Sequence, residues 1–189
     1  MKYIEKDKKE EVLKMKLRNK KWMLVAAMAV MMVLTACGDS SSEENKEGRI
    51  GDVLHSEFFD FTVNSVYICD TYEEYTPEAD HKLLVSELTI KNTFNETIPM
   101  FDTDFQAQWI DKDDQKNAFA NPVETMVSED QLESEYDLAV DEEKTGLLIF
   151  EVPKDFTDFS IVYLEEFDNG ETGNLYEVFF TAKEASESM

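Results

Sequence analysis

From residue 50 onward, apolar residues return at every second position in short runs, and polar turns break the runs apart. Phe59, Phe61 and Val63 form one stripe, and Leu84, Ser86, Leu88 and Ile90 form another, with Val85, Glu87, Thr89 and Lys91 on the opposite face. A period of two belongs to a strand buried on one side, because successive strand side chains alternate across the backbone. After Val63 the phase slips at Asn64-Ser65, and Val66 and Ile68 take over the apolar face, which predicts a bulge. Phe105, Ala107 and Trp109 make the next stripe, and strand texture returns at residues 146–153, 159–164 and 175–181. A weaker run spans residues 50–54. Residues 92–97 and 168–173 have turn composition, and the acidic residues 70–80 read as a loop. In residues 121–140, Ser128 with Gln131 forms a potential capping box, and Leu132, Tyr136 and Val140 keep helical spacing; a short helix or an irregular crossover fits equally. Seven or eight short strands without a long helix predict an all-β domain, an antiparallel sandwich of two sheets.

The N-terminal segment has a different texture. Lys14, Lys16, Arg18, Lys20 and Lys21 precede an apolar run from 22 to 34, which ends in Leu34-Thr35-Ala36-Cys37. At 1.5 Å per residue this run reaches about 20 Å as a helix, short of the roughly 30 Å hydrocarbon core. It is a signal segment rather than a permanent span. The four closing residues resemble the lipobox of bacterial lipoproteins. That resemblance implies cleavage after Ala36, acylation (palmitate among the acyl chains) on Cys37, and a lipid-anchored location on the extracytoplasmic face of the cell membrane. Cys37 is the one predicted site residue. Residues 1–14 carry Glu5, Asp7, Glu10 and Glu11 ahead of the basic stretch, whereas Met15 opens the more ordinary Met15-Lys16-Leu17-Arg18. Either Met1 or Met15 serves as the start, and neither choice touches the fold.

The domain layout follows: residues 1–36 as signal peptide, 37–49 as lipidated cysteine and flexible polar linker, 50–181 as the sandwich, and 182–189 as a frayed tail. The first 36 residues hold nine basic and four acidic residues, so the remainder carries nine against 38, a net of −29 compared with −24 for the whole chain. Such a polyanion repels nucleic acid and anionic lipid head groups alike, and a partner that docks on it is expected to be cationic or to bring divalent ions. With Cys37 acylated, Cys69 lacks an intramolecular partner, and its place at the end of an apolar strand predicts a buried structural thiol.

The strand order also carries a family resemblance. Phe61-Thr62-Val63-Asn64-Ser65-Val66, the stripe 84–90 running into Lys91-Asn92-Thr93, and Thr145-Gly146-Leu147-Leu148-Ile149-Phe150-Glu151-Val152-Pro153 stand in sequence. In this order they resemble extracellular lipoproteins of uncharacterised function with an immunoglobulin-like (telokin-like) sandwich. The resemblance departs at Val140-Asp141-Glu142-Glu143-Lys144, where a Pro-Gly-Glu-like turn is usual, and at Asp114-Gln115, where an Asp-Gly hairpin is usual. It implies no catalytic residues.

Chemistry-bearing patterns are sparse. Asp111-Lys112-Asp113-Asp114-Gln115-Lys116 fails as an EF-hand, with Lys116 at the sixth position instead of Gly and Pro122 at the twelfth instead of Glu. It reads as a solvated turn, although Asp102, Asp104 or the carboxylates of residues 70–80 offer further calcium ligands. His55 and His81 have no zinc spacing. Carboxylate pairs and Ser–His–Asp sets carry no weight in a chain this acidic. Tyr72 and Tyr75 lie outside any stripe and suit recognition, but strand-end packing explains them more readily. The expected function is a non-catalytic binding module at the cell envelope, without cofactors, meeting an envelope protein or wall component; the alternative is a calcium-responsive acidic domain.

Overall fold

The computed structural model describes residues 46–112, 115–167 and 169–185, and Cys37 with the signal segment lies outside them. In chain order the strands are β1 (Lys46–Arg49), β2 (Val53–His55), β3 (Phe59–Cys69), β4 (His81–Asn92), β5 (Ile98–Phe101), β6 (Phe105–Ile110), β7 (Asn117–Ala120), β8 (Glu135–Leu138), β9 (Glu143–Pro153), β10 (Asp158–Glu166) and β11 (Thr172–Thr181). Sheet A is ordered β1-β11-β10-β6-β7 and sheet B β2-β3-β4-β9, while β5 and β8 form a small third sheet. The stripes read from sequence face each other across the two large sheets, so the protein is an all-β sandwich.

The core is an aromatic seam. Phe59 and Phe61 of β3 meet Phe105 of β6 and Tyr163 of β10, with ring centroids 4.7 Å apart for Phe59–Tyr163 and 5.3 Å for Phe61–Phe105. Tyr163 stacks on Tyr176 at 5.8 Å. Leu84, Leu88, Ile90, Leu148 and Phe150 are fully buried against this seam, in the predicted phase. Trp109 is only partly buried, at the rim beside Phe156 and Phe159. The bulge is found between Val63 and Ser65.

Four expectations give way. First, residues 50–54 are not one strand: Gly51, at φ 88°, turns the chain so that β1 joins sheet A and β2 joins sheet B. A left-handed backbone of that kind favours glycine. Second, β1 pairs with β11 in parallel, an exception to an otherwise antiparallel sheet A, and it recruits Lys46–Arg49 from the presumed linker. Its ladder is held by backbone groups, so it leaves little apolar signal in the sequence. Third, residues 182–185 are not frayed. Ala182 is buried, Ala185 N–H donates to the Ile68 carbonyl at 3.0 Å, and Lys82 pairs with Glu184.

Fourth, sheet B is covered on its outer face as well. Leu83, Val85 and Ile149 are buried there beneath Tyr72, Tyr75, Val123 and Val127. The loop 70–80 folds back because Tyr75 donates its hydroxyl to Glu151 at 2.5 Å. Residues 121–132 contain no helix. Gln131 instead accepts the Val127 N–H at 3.0 Å, and Val123 and Leu132 N–H groups bond the Ile149 and Leu147 carbonyls at 2.8 and 2.9 Å. This segment therefore shields the edge of the long strand β9, a position that otherwise invites pairing with another chain.

A buried carboxylate ties the sheets at one end. Glu165 of β10 is 1% exposed. It accepts the Glu57 N–H at 2.7 Å, the Tyr176 hydroxyl at 3.0 Å, the Asn174 N–H at 2.9 Å and the Asn174 amide at 3.1 Å. A Cβ at Gly173 would stand 2.5 Å from its carboxylate oxygen, which is why the position has no side chain. Hydrogen bonds to the charged form offset the desolvation that an unpaired carboxylate would suffer.

Two mutational outcomes follow. Leu88→Ala should cost about 2–5 kcal/mol, while Glu87→Ala on the opposite face should be nearly neutral, as read by denaturant unfolding. Glu165→Ala strands the Glu57 and Asn174 donors and should cost about 3 kcal/mol; an unchanged unfolding midpoint would show that the carboxylate does not hold the sheets.

Candidate functional site

The structure disperses most of the chemistry-bearing residues singled out by sequence. His55 is exposed, with Nδ1 2.8 Å from Asp60, and His81 Nδ1 lies 3.3 Å from the Ala79 carbonyl. Asp104 accepts the Phe101 N–H at 2.8 Å and closes the short 3₁₀ turn of Asp102–Asp104. In the turn after β6, Asp111 N–H donates to the Lys116 carbonyl at 2.8 Å; Asp113 and Asp114 lie outside the described residues. Among the described residues, no group of three His, Cys, Asp or Glu is placed to hold a metal ion.

Cys69 is free and half-buried; burial, then the neighbouring Asp70 and Glu184, push its thiol pKa up, away from reactivity. Tyr75 is raised to about 12, chiefly by its hydrogen bond to Glu151. It is a packing residue that locks the loop, as the plainer sequence reading held.

What does converge is an open groove along the β9 edge of sheet B. Residues 130–132 pair with β9 at Leu147, and the groove beside them measures about 680 Å³. Leu132, Gly146 and Leu147 line it alongside Met126, Glu87, Glu129, Asp130 and Glu133. Lys144 is its single lining cation. That charge is already committed, since Lys144 Nζ lies 2.9 Å from Glu133 and 4.2 Å from the Tyr136 ring centroid. Glu87, Glu129 and Asp130 thus leave the groove strongly negative around an apolar floor. Such a surface suits a segment that offers a cation beside an apolar side chain. Sequence reading missed the site because its parts come from β4, β9 and an irregular segment, and no local spacing joins them.

The outer face of sheet A mixes polar, apolar and acidic side chains. One row of registered partners crosses all five strands as Arg49, Phe179, Ser160, Gln108 and Phe119. The next runs Glu47, Glu177, Val162 and Gln106. Arg49 lies over the Phe179 ring at 5.4 Å. Burial, then the facing Glu47, raise the Glu177 carboxyl above the usual glutamate value.

Comparison with known proteins agrees with this architecture. Residues 48–172 match the family model described as a domain of unknown function, DUF4352. No curated protein matches the chain. Among solved structures, a proposed lipoprotein of Bacillus subtilis, ycdA, is similar with a TM-score of 0.53 at 15% identity, over 69% of this chain and 38% of its own. This chain therefore spans well under half of that protein. A proposed lipoprotein from Staphylococcus aureus gives a TM-score of 0.51 at 14% identity, over 74% of this chain and 97% of its own. At these identities the likeness is one of fold.

The Glu47–Glu177 pair predicts a pH dependence. A carboxyl whose folded pKa is raised binds protons on folding, so its favourable contribution exists at low pH and is lost as pH rises through the folded value. Glu177→Gln should therefore raise the melting temperature at neutral pH and flatten its fall above the ordinary glutamate range. A variant that melts no higher at neutral pH would show that the pair does not strain β1 against β11.

Proposed function

The chain belongs to the DUF4352 family, and we propose that it is a lipid-anchored, non-catalytic binding module on the extracytoplasmic face of the cell membrane. Its sandwich is of the immunoglobulin-like kind, and its partner is an envelope protein or wall component that presents positive charge. Membrane attachment is supported by Leu34-Thr35-Ala36-Cys37, which closes an apolar run too short to serve as a span. Two acyl chains on Cys37 give a stable anchor where one gives only marginal binding.

The observation that carries the binding role is the groove of Glu87, Glu129 and Asp130 on an apolar floor. Grooves of several hundred cubic ångströms with a few placed polar groups are the usual form of a recognition site. Negative potential around it would speed the approach of a cationic partner, and salt would slow that approach. The alternative of a calcium-responsive domain draws no comparable support from the described residues.

Membrane-bound protein should show diacylated Cys37 by intact mass, and Cys37→Ala should be released or left unprocessed. An unlipidated Cys37 in membrane-bound protein would overturn the anchor. For the groove, capture from native envelopes should be lost in the double variant Glu129→Gln/Asp130→Asn. It should persist in Glu135→Gln/Asp137→Asn, which removes the same charge from the exposed side of β8. Equal capture by both variants, or turnover of a substrate abolished by one acid-to-amide change, would sink the reading.

A further inference from the structure

We propose that β7 is the edge at which two copies of this chain join, pairing antiparallel about a twofold axis so that sheet A runs on from one sandwich into the next. The inference stands on the architecture of sheet A and is independent of the groove and of the lipid anchor.

The first observation is that β7 is the unguarded edge. A strand edge presents unpaired N–H and C=O groups, and proteins blunt such edges with charge, proline, brevity or cover. Among the described residues, each of the other edges is blunted in one of these ways. β1 carries Lys46, Glu47 and Arg49, and β2 has only three residues. β5 contains Pro99, β8 contains Glu135 and Asp137, and β9 is bonded at Leu147 and Ile149 by Asp130, Leu132 and Val123. β7 reads Asn117-Ala118-Phe119-Ala120 and its neighbour β6 reads Phe105-Gln106-Ala107-Gln108-Trp109-Ile110. Neither holds a charge, in a chain that is 32% charged.

The second observation is the geometry of that edge. Asp111 N–H donates to the Lys116 carbonyl at 2.8 Å, and the register then pairs Trp109 with Ala118 and Ala107 with Ala120. Bonds in an antiparallel ladder fall on alternate residues, so Ala118 and Ala120 turn their backbone groups to β6 while Asn117 and Phe119 turn theirs outward. Past Ala120 the chain leaves for β9 through Pro122, which bridges Phe150. The register that uses both outward residues sets Asn117 against Phe119 of the second copy and, by symmetry, Phe119 against Asn117, with about four backbone bonds around the axis. It also covers apolar surface, since Phe119 is 42% exposed and Ile110, beside Asn117 in the ladder, 60%. Pairing brings the ring of one copy into the row that holds Ile110 of the other.

A second copy suits this edge better than the cationic partner that the groove attracts. β7 offers no carboxylate to draw a cation, and the turn before it mixes three aspartates with two lysines, Lys116 standing next to the strand. Two acidic chains therefore meet here with uncharged strands at the axis and a lysine flanking each. The twofold arrangement also satisfies both β7 edges at once, so the assembly closes as a dimer.

The test oxidises the full chain, expressed with its own N-terminal segment, with copper phenanthroline and reads disulfide-linked dimer on a non-reducing gel. At the axis Ala118 meets Ala118 of the second copy in a pair without hydrogen bonds, about 4.5 Å between Cα atoms, a separation that a disulfide spans. In a Cys69→Ser background, Ala118→Cys should therefore give at least fivefold more dimer than the parent. The same excess should hold over Val53→Cys, whose site on β2 is 50% exposed and reports chance collision. Phe119→Pro removes an outward N–H and leaves the bonds to β6 in place, while Phe119→Asp keeps the N–H and adds a carboxylate to the edge. Each should return the Ala118→Cys yield to that of the parent; should Phe119→Pro fail to fold, Phe119→Asp decides. Equal yields at 118 and 53, or a yield at 118 that Phe119→Asp leaves unchanged, overturn the proposal. So does a cross-linked product whose mass is not twice that of the chain, which would mark a different protein on this edge.

Discussion

The aromatic seam between Phe59 and Phe61 on one sheet and Phe105, Tyr163 and Tyr176 on the other is the contact on which the rest of the molecule depends. Large rings bury much apolar area per residue, and no disulfide links the sheets among the described residues. Burial removes the Tyr163 hydroxyl from water and drives its pKa far above the ordinary value. Tyr176 is likewise raised to about 12, mainly by burial. The Glu165 carboxylate meets this second hydroxyl and two further backbone donors, so the polar end of the seam is satisfied rather than exposed. Packing and hydrogen bonding thus act on the same residues, and the register of β10 against β11 serves both.

Around that seam the irregular segments do structural work. The loop 70–80 and residues 121–132 lie over sheet B, burying Leu83, Val85 and Ile149 in a second, smaller core. The same crossover bonds the free edge of β9 at Val123 and Leu132, which both blunts the edge and builds one wall of the groove. Residues 182–185 close the far end over Ile68. A groove shaped by segments that also stabilise the sheet has a defined form before any partner arrives, which lowers the ordering cost of binding.

At the β9 edge of sheet B, carboxylates crowd apolar side chains and the one lining lysine is already engaged. The outer face of sheet A mixes exposed apolar side chains, Ile110, Phe119 and Leu164, with the carboxylates Glu47, Glu177, Asp158 and Glu166.

The period-two stripes determined the strand class, the inward phase of Leu84, Leu88, Ile90, Leu148 and Phe150, and the bulge at Asn64-Ser65, because a half-buried strand imprints its two faces directly on the sequence. Composition likewise determined net charge and the absence of a cysteine partner for Cys69 among the residues after Cys37. Tertiary structure decided the rest. The parallel pairing of β1, the burial of Val85, the ordering of residues 182–185 and the absence of a helix at Ser128 arise from backbone bonds and from packing between distant segments. The groove and the rows that cross sheet A were invisible for the same reason. Glu87, Glu129 and Asp130, or Arg49, Gln108 and Phe119, become neighbours only when strands far apart in the chain are set side by side, and residue spacing along a chain records nothing of that.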